Sequence, residues 1–257
     1  LDEFKLANEP AELIGNIIGN VKNTCTAIAT KHTPVFSITA GRDSRMLLAC
    51  IKERAQQSKF FTFSKFPGSV DTHYARIFRD EFNLDHIFLN AEKLSKKRKM
   101  QWLKCNGHCI SGDIWKLQHS LTHFGDDNFA ILPGMAGEVG RAFYWKSEDK
   151  NNQKLTAHEL LNRLGLPPTE TLINVTQNYI DELPDLDFFS LLDLVYIEQR
   201  LGCWGNLSMY TGNSIAPHYL PFSSRAVFTN MISLPVQFRM NQKMPYEIIQ
   251  RVWPELL

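Results

Sequence analysis

The sequence predicts an α/β fold: a doubly wound, mainly parallel sheet flanked by helices, with a mostly helical region towards the C-terminus. Three observations predict it. Short β-rich runs alternate with amphipathic helix patterns through the first half of the chain, which is how a parallel sheet with helical crossovers is written. Two of those runs end in Gly-containing turns, at residues 39–44 and 133–137. In such a sheet these turns meet at the carboxyl edge of the strands, where ligands sit. The composition, 44% hydrophobic and 21% charged over 257 residues, is that of a globular protein with a sizeable core.

Each element follows from a local pattern. Residues 10–30 carry Leu13, Ile14, Ile17, Ile18 and Val21 at helical spacing, with Pro10 suited to a first turn. Residues 34–38 (Pro-Val-Phe-Ser-Ile) read as a strand, and residues 44–56 as a helix burying Leu47, Leu48 and Ile51. A second strand covers residues 59–66 and closes on the turn Pro67-Gly68-Ser69. The next helix shows Tyr74, Ile77, Phe78 and Phe82 as one stripe, with Asp71 placed to cap it. Residues 85–90 form a third strand, residues 92–104 a Lys/Arg-rich helix, and residues 129–132 (Phe-Ala-Ile-Leu) a fourth strand. Beyond residue 147 comes a polar loop, then a helix stopped by Pro167 and Pro168. A long amphipathic helix over residues 188–204 and a Pro-rich loop at 217–221 follow. The expected organisation is a nucleotide-binding core over 1–146 with a helical region over 147–257 packed on it, or one continuous domain.

The bulk numbers limit the function classes. A net charge of +1 gives no reason to expect nucleic acid or an acidic membrane as partner, and no apolar run approaches a membrane span. Five scattered cysteines do not form a disulfide framework, so a reducing cytoplasm is expected. The start, Leu-Asp-Glu-Phe-Lys, is no signal peptide and lacks Met, which suggests a processed or trimmed piece of a longer chain.

The turn at residues 39–44, Thr-Ala-Gly-Arg-Asp-Ser, carries the chemistry. It is neither a Walker A loop nor Gly-x-Gly-x-x-Gly. Its small residues let backbone approach a ligand, and its N–H groups with a helix N-terminus suit an anion. Asp43 would repel a bare phosphate, but fits if Mg²⁺ lies between them. The alternative is a plain strand-to-helix turn.

These residues resemble the Ser-Gly-Gly-x-Asp-Ser pyrophosphate loop of the N-type ATP pyrophosphatases (adenine nucleotide alpha-hydrolase-like proteins), in the asparagine synthetase branch that includes β-lactam synthetase. Three further segments are similar in the same order. "FTFSKFPGSVDTHYARIF" resembles the family's second strand, Pro-Gly-Ser-x-Asp turn and helix. "LPGMAGEVGRAFY" resembles Leu-Ser-Gly-Glu-Gly-x-Asp-Glu-x-x-x-Gly-Tyr, and "YLPFSSRAVFTNMISLP" resembles a Pro-Phe-Leu-Asp-(Arg/His) stretch. The resemblance implies that Thr39, Ala40, Gly41, Asp43 and Ser44 hold the ATP pyrophosphate. It places Ser37 and Ser64 near adenine and ribose, and has Gly134 offer backbone to the nucleotide. Asp43 and Glu138 would share Mg²⁺, and Lys243, with Arg42 beside the loop, would meet the transition-state phosphates or a substrate carboxylate. The implied reaction is adenylation of a small-molecule or peptide carboxylate, with release of pyrophosphate and amide formation by an amine donor.

The departures from the family's pattern define the alternatives. Met135 stands where asparagine synthetase has Glu and β-lactam synthetase has Tyr, and a thioether cannot deprotonate an amine. Val139 replaces the second acid of the family's Asp-Glu pair, and Glu138 stands for its Asp. No glutaminase domain with an N-terminal Cys nucleophile precedes the loop, so ammonia would come from an N-terminal or partner amidotransferase domain. A true asparagine synthetase is therefore not expected. Two rivals remain: a non-catalytic scaffold acting through partners, and an RNA-modifying pyrophosphatase using Cys105 or Cys109 as sulfur carrier. For Glu138, Lys243, Arg42 and Arg225, an ordinary surface or structural role is the competing reading. Cys105, His108 and Cys109 lack the second pair a zinc site needs. The four tryptophans Trp102, Trp115, Trp145 and Trp204 are expected as packing.

Overall fold

The alternation of strands and helices is observed. A computed structural model describes residues 8–64, 68–109, 114–124 and 128–257. Helix α1 (Pro10–Ala29) opens on Pro10, where a missing N–H costs nothing, and buries Leu13, Ile14, Ile17 and Val21. Strand β1 (Thr33–Ser37) leads through residues 38–41 into α2 (Arg42–Cys50). That helix starts two residues before the expected Ser44 and ends sooner. Residues beyond it continue as a 3₁₀ helix (Lys52–Gln57), because Ile51 leaves helical geometry at φ −108°, ψ 17°.

Strand β2 (Lys59–Phe63), helix α3 (Val70–Phe82) and strand β3 (Asp85–Leu89) come next. The end of the expected second strand and Pro67 lie outside the described residues, as does the start at residues 1–7. Two details of α3 differ from expectation. Ser69, not Asp71, caps it, its hydroxyl accepting from the Thr72 N–H. Thr72, Ala75 and Phe78 face inward, leaving Tyr74 and Ile77 exposed on the flank of the expected stripe. Helix α4 (Lys96–Cys105) is capped by Ser95, so it starts four residues later than its charge run suggested. Helix α5 (Ile114–His119) and a 3₁₀ turn (Ser120–Phe124) precede β4 (Phe129–Leu132), which has the expected bounds.

All strand pairs are parallel, in the order β3-β2-β1-β4. The period of two along each strand sends Phe36, Phe60 and Leu132 to one face, where they join α1 and α2 in the larger core. Val35, Phe61 and Ile131 go to the other face, against Leu121 and Phe124. The chain steps outward from β1 to β3 and then returns to place β4 on the opposite flank of β1. The winding therefore reverses between β1 and β4, and a crevice opens there beyond the strand ends.

After β4 the chain is helical. Helix α6 (Ala157–Leu164) ends at Gly165, which takes the left-handed φ of +70°, before the two prolines are reached. Then come α7 (Glu170–Glu182) and α8 (Phe188–Val195). The expected single helix over 188–204 changes pitch at Tyr196 into a π-helix (Tyr196–Gly205), and resumes as α9 (Asn206–Gly212). Helices α10 (Arg225–Ser233), α11 (Val236–Met240) and α12 (Lys243–Val252) complete the chain. Helix α10 packs on α1 and α12 on α2. Met231, Ile248 and Ile249 thus share the larger core with Leu13 and Leu47, across the expected 146/147 boundary. Among the described residues no helix is long and apolar enough to cross a membrane.

Candidate functional site

The β1–α2 turn is held shut by its own short side chains. The Ser44 hydroxyl lies 2.8 Å from Thr39 Oγ1 and accepts from the Thr39 N–H at 3.2 Å. Gly41 N–H donates to Thr39 Oγ1 at 3.0 Å, and Ala40 N–H donates to the Asp71 carboxylate at 2.9 Å. Thr39, Ala40 and Gly41 have therefore spent their N–H groups inside the protein. The donors left over belong to the first turn of α2, at Arg42, Asp43 and Ser44. No helical partner exists for them, and no side chain caps this helix. They form the positive end of a helix dipole at the crevice between β1 and β4.

The β4 turn closes on this helix end through glycines. A Cβ on Gly134 would stand 2.7 Å from Ser44 N and 2.8 Å from the Asp43 carbonyl carbon. Gly134 thus touches the backbone that the resemblance assigned to phosphate. Ala136 takes a left-handed φ of +76° although fully buried. Such a φ is uncommon for a residue with a side chain and free of steric cost only for Gly. A short 3₁₀ helix (Gly137–Arg141) then presents Glu138 and Arg141 to Asp43.

Arg141 grips Asp43 through two hydrogen bonds, Nε to Oδ1 at 3.0 Å and Nη2 to Oδ2 at 2.7 Å. This fork-to-fork pair neutralises the one carboxylate at the helix start. Glu138 lies beside it with Oε2 buried and without a hydrogen-bond partner. Burial, and then the nearby Asp43 charge, raise its pKa above the ordinary carboxylate range. Its folded-state pKa exceeds the unfolded one, so the carboxyl is least costly when protonated and destabilises as pH rises through the folded value. Glu138→Gln should accordingly raise the melting temperature at neutral pH. It should leave the melting temperature unchanged below the ordinary carboxylate range, which melting curves across that interval would check.

The wall opposite the turn comes from the π-helix and the strand-end loop. Its wider turn places Tyr196, Arg200 and Trp204 in line at intervals of four, facing Met135 and Phe143. Together with Ser37, Thr39, Gly41, Asp43, Ser44, Gly134 and Glu138 they enclose a cavity of about 300 Å³. The Arg200 guanidinium stacks on the Trp204 ring, 4.0 Å from its centroid. Among the described residues it meets no carboxylate. Tyr196 is buried, and its pKa is pushed up by burial and by the nearby Glu138 and Asp43.

The structure brings together most, but not all, of the expected residues. Ser37, Thr39, Gly41, Asp43, Ser44, Gly134 and Glu138 share the one cavity. Ala40 borders it in sequence, its N–H turned to Asp71. Ser64 takes no part in it, its N–H being bonded to the Leu89 carbonyl in the sheet. Arg42 and Lys243 line a different cavity, of about 260 Å³, with Arg45, Asn241 and Tyr246. Arg45 there is lowered in pKa by burial and by Arg42. Five residues were missed as site residues: Arg141, Phe143, Tyr196, Arg200 and Trp204. Trp204, expected as packing, is 37% exposed on the cavity wall. Trp102 and Trp145 do pack in the cores, and the side chain of Trp115 lies outside the described residues.

The residues present suit a phosphorylated ligand better than a resident Mg²⁺. A phosphate finds N–H groups without a helical partner at the start of α2, small residues around them, and aromatic rings on the facing wall. A metal finds Asp43 with both oxygens committed to Arg141, and one orphaned oxygen on Glu138. Among the described residues no three His, Cys, Asp or Glu side chains gather as a metal-binding group.

The chain matches no known protein family, and no curated protein matches it in sequence. Among solved structures it is similar to NMN synthetase from Francisella tularensis at 10% identity and a TM-score of 0.32, covering 92% of this chain and 94% of that one. NAD+ synthetase from Burkholderia pseudomallei is similar at 11% identity and a TM-score of 0.31, covering 92% and 91%. At these scores the likeness carries no argument about activity, and the fold rests on the sheet described above.

Proposed function

We propose that the cavity between β1 and β4 binds ATP and that the chain is an adenylating, amide-forming ligase of the asparagine synthetase-like kind, though not an asparagine synthetase. The observation that supports this most is the uncapped start of α2 opening into a half-open, aromatic-walled crevice at the reversal of the sheet. ATP, when bound, supplies an adenylyl group to a carboxylate and a pyrophosphate leaving group. The chain's own part is positioning and exclusion. The N–H groups of Arg42, Asp43 and Ser44 orient phosphate oxygens without reorganising, which is where such sites gain most of their rate. Gly134 allows close approach, while Phe143, Tyr196 and Trp204 keep water from the bound nucleotide. Met135 in the wall can hold no proton, and Glu138 is the lining carboxyl that is not ion-paired. The acceptor would be a small-molecule or peptide carboxylate, and the amine would come from a separate donor or an amidotransferase partner.

Isotope exchange between pyrophosphate and ATP, run against a panel of carboxylates, tests this reading. Exchange stimulated by one class of carboxylate, with AMP as the nucleotide product of the full reaction, is the expected result. Production of ADP, or tight ATP binding without exchange for any acid tested, would count against the ligase. The latter outcome would favour a scaffold that keeps the nucleotide site, and one feature supports that rival. The three N–H groups of the turn at 39–41 are already satisfied internally.

A further inference from the structure

We infer that nucleotide phosphate in this cavity is met by the Arg200 guanidinium, while Arg141 cancels the Asp43 carboxylate that would repel it, so that the nucleotide binds without a divalent cation. The inference rests on the nucleotide reading above and concerns how that same site handles charge. Three charged side chains line the cavity: Asp43, Glu138 and Arg200. Arg141 cancels Asp43 from behind with two charge-assisted hydrogen bonds, so the carboxylate that would repel phosphate is already neutralised. A divalent ion placed at Asp43 would have to displace Arg141 or stand against its like charge. The position of the counter-charge is therefore occupied by protein.

Arg200 supplies the charge that reaches into the cavity. It projects from the π-helix, a rare geometry frequent at functional sites, with Trp204 one turn further on the same wall. Stacking on Trp204 fixes the plane of the guanidinium while leaving its edge N–H groups to hydrogen-bond phosphate oxygens in a fork. Among the described residues no acid competes for it. The indole beneath it also gives the site its own optical reporter.

The test titrates the full chain with ATP, in Mg²⁺ and in excess EDTA, following heat and tryptophan fluorescence, for wild type, Arg200→Gln and Arg200→Lys. Wild type should bind equally well in both buffers. Arg200→Gln should bind about ten- to hundredfold more weakly in both, the size of a lost charge-assisted contact. Arg200→Lys should fall between, since it keeps the charge and loses the fork. ATP binding to wild type only in Mg²⁺ would overturn the inference and leave the nucleotide reading standing. Metal-free binding unaffected by Arg200→Gln would overturn the role of Arg200. Absence of ATP binding to a folded wild type in either buffer would overturn the nucleotide reading, and the inference with it.

Discussion

Arg239→Met should cost about 3–5 kcal/mol of stability, the penalty for breaking a buried ion pair from one side. Arg239 is almost wholly buried, and its guanidinium forks onto Asp193 of α8 at 2.7 and 2.8 Å. It also donates to the Val139 carbonyl and stacks on Trp145, 4.4 Å from the ring centroid. One side chain from α11 thus ties α8, which leads into the π-helix, to the turn that carries Glu138 and Arg141. Both walls of the cavity are set by it. Chemical denaturation would read the loss in Arg239→Met. The double variant Arg239→Met/Asp193→Leu should recover most of it, because both members of the buried ion pair are then replaced by apolar groups. If the single and double variants were equally destabilised, packing rather than the broken ion pair would be the cause.

Gly134→Ala is the second large effect. Its new methyl would meet the α2 backbone at 2.7–2.9 Å, and backbone at a helix start cannot turn aside as a flexible side chain can. The strand-end turn must then lift off the helix, at an overpacking cost of about 1–3 kcal/mol. The larger consequence is for the ligand, since the floor of the cavity moves away from the N–H groups of Asp43 and Ser44. Nucleotide binding should be lost in a variant that still melts cooperatively. Gly140→Ala serves as the comparison: its methyl would meet the flexible Met244 thioether, which can move, so binding should survive. Loss of binding in both variants would point to general loosening instead.

Much of this fold is written locally. The Gly-containing turns, the run Phe-Ala-Ile-Leu and the apolar spacing of α1 each depend on neighbours a few residues away, so the sequence alone places them. The turn at 39–44 was legible for the same reason, and Gly134 lies in the second such turn, where the resemblance singled it out. What was not legible depends on distance. Arg141 meets Asp43 across 98 residues, and nothing in Gly-Glu-Val-Gly-Arg marks the last residue as a partner for an Asp in another turn. Arg200 and Trp204 were hidden because nothing local says what their helix faces. Trp204 was expected as packing like the other tryptophans, whereas the line it shares with Tyr196 and Arg200 faces the cavity. Asp71 shows a third limit. Helix-capping rules made it a cap, but Ser69 had already taken that role, leaving the carboxylate to reach the Ala40 N–H. Lys243 and Arg42 were drawn to the phosphate loop by resemblance. Arg42 leaves α2 on the side of the neighbouring cavity, and Lys243 lines that same cavity from the start of α12.

The central claim is that a nucleotide sits at the start of α2, in the crevice between β1 and β4. A crystal structure of the chain with a non-hydrolysable ATP analogue tests it most directly. Phosphate density against the N–H groups of Arg42, Asp43 and Ser44, with the base towards Phe143 and Trp204, is the predicted result. Phosphates bound instead among Arg42, Arg45 and Lys243, with the crevice at Gly134 left empty, would contradict it.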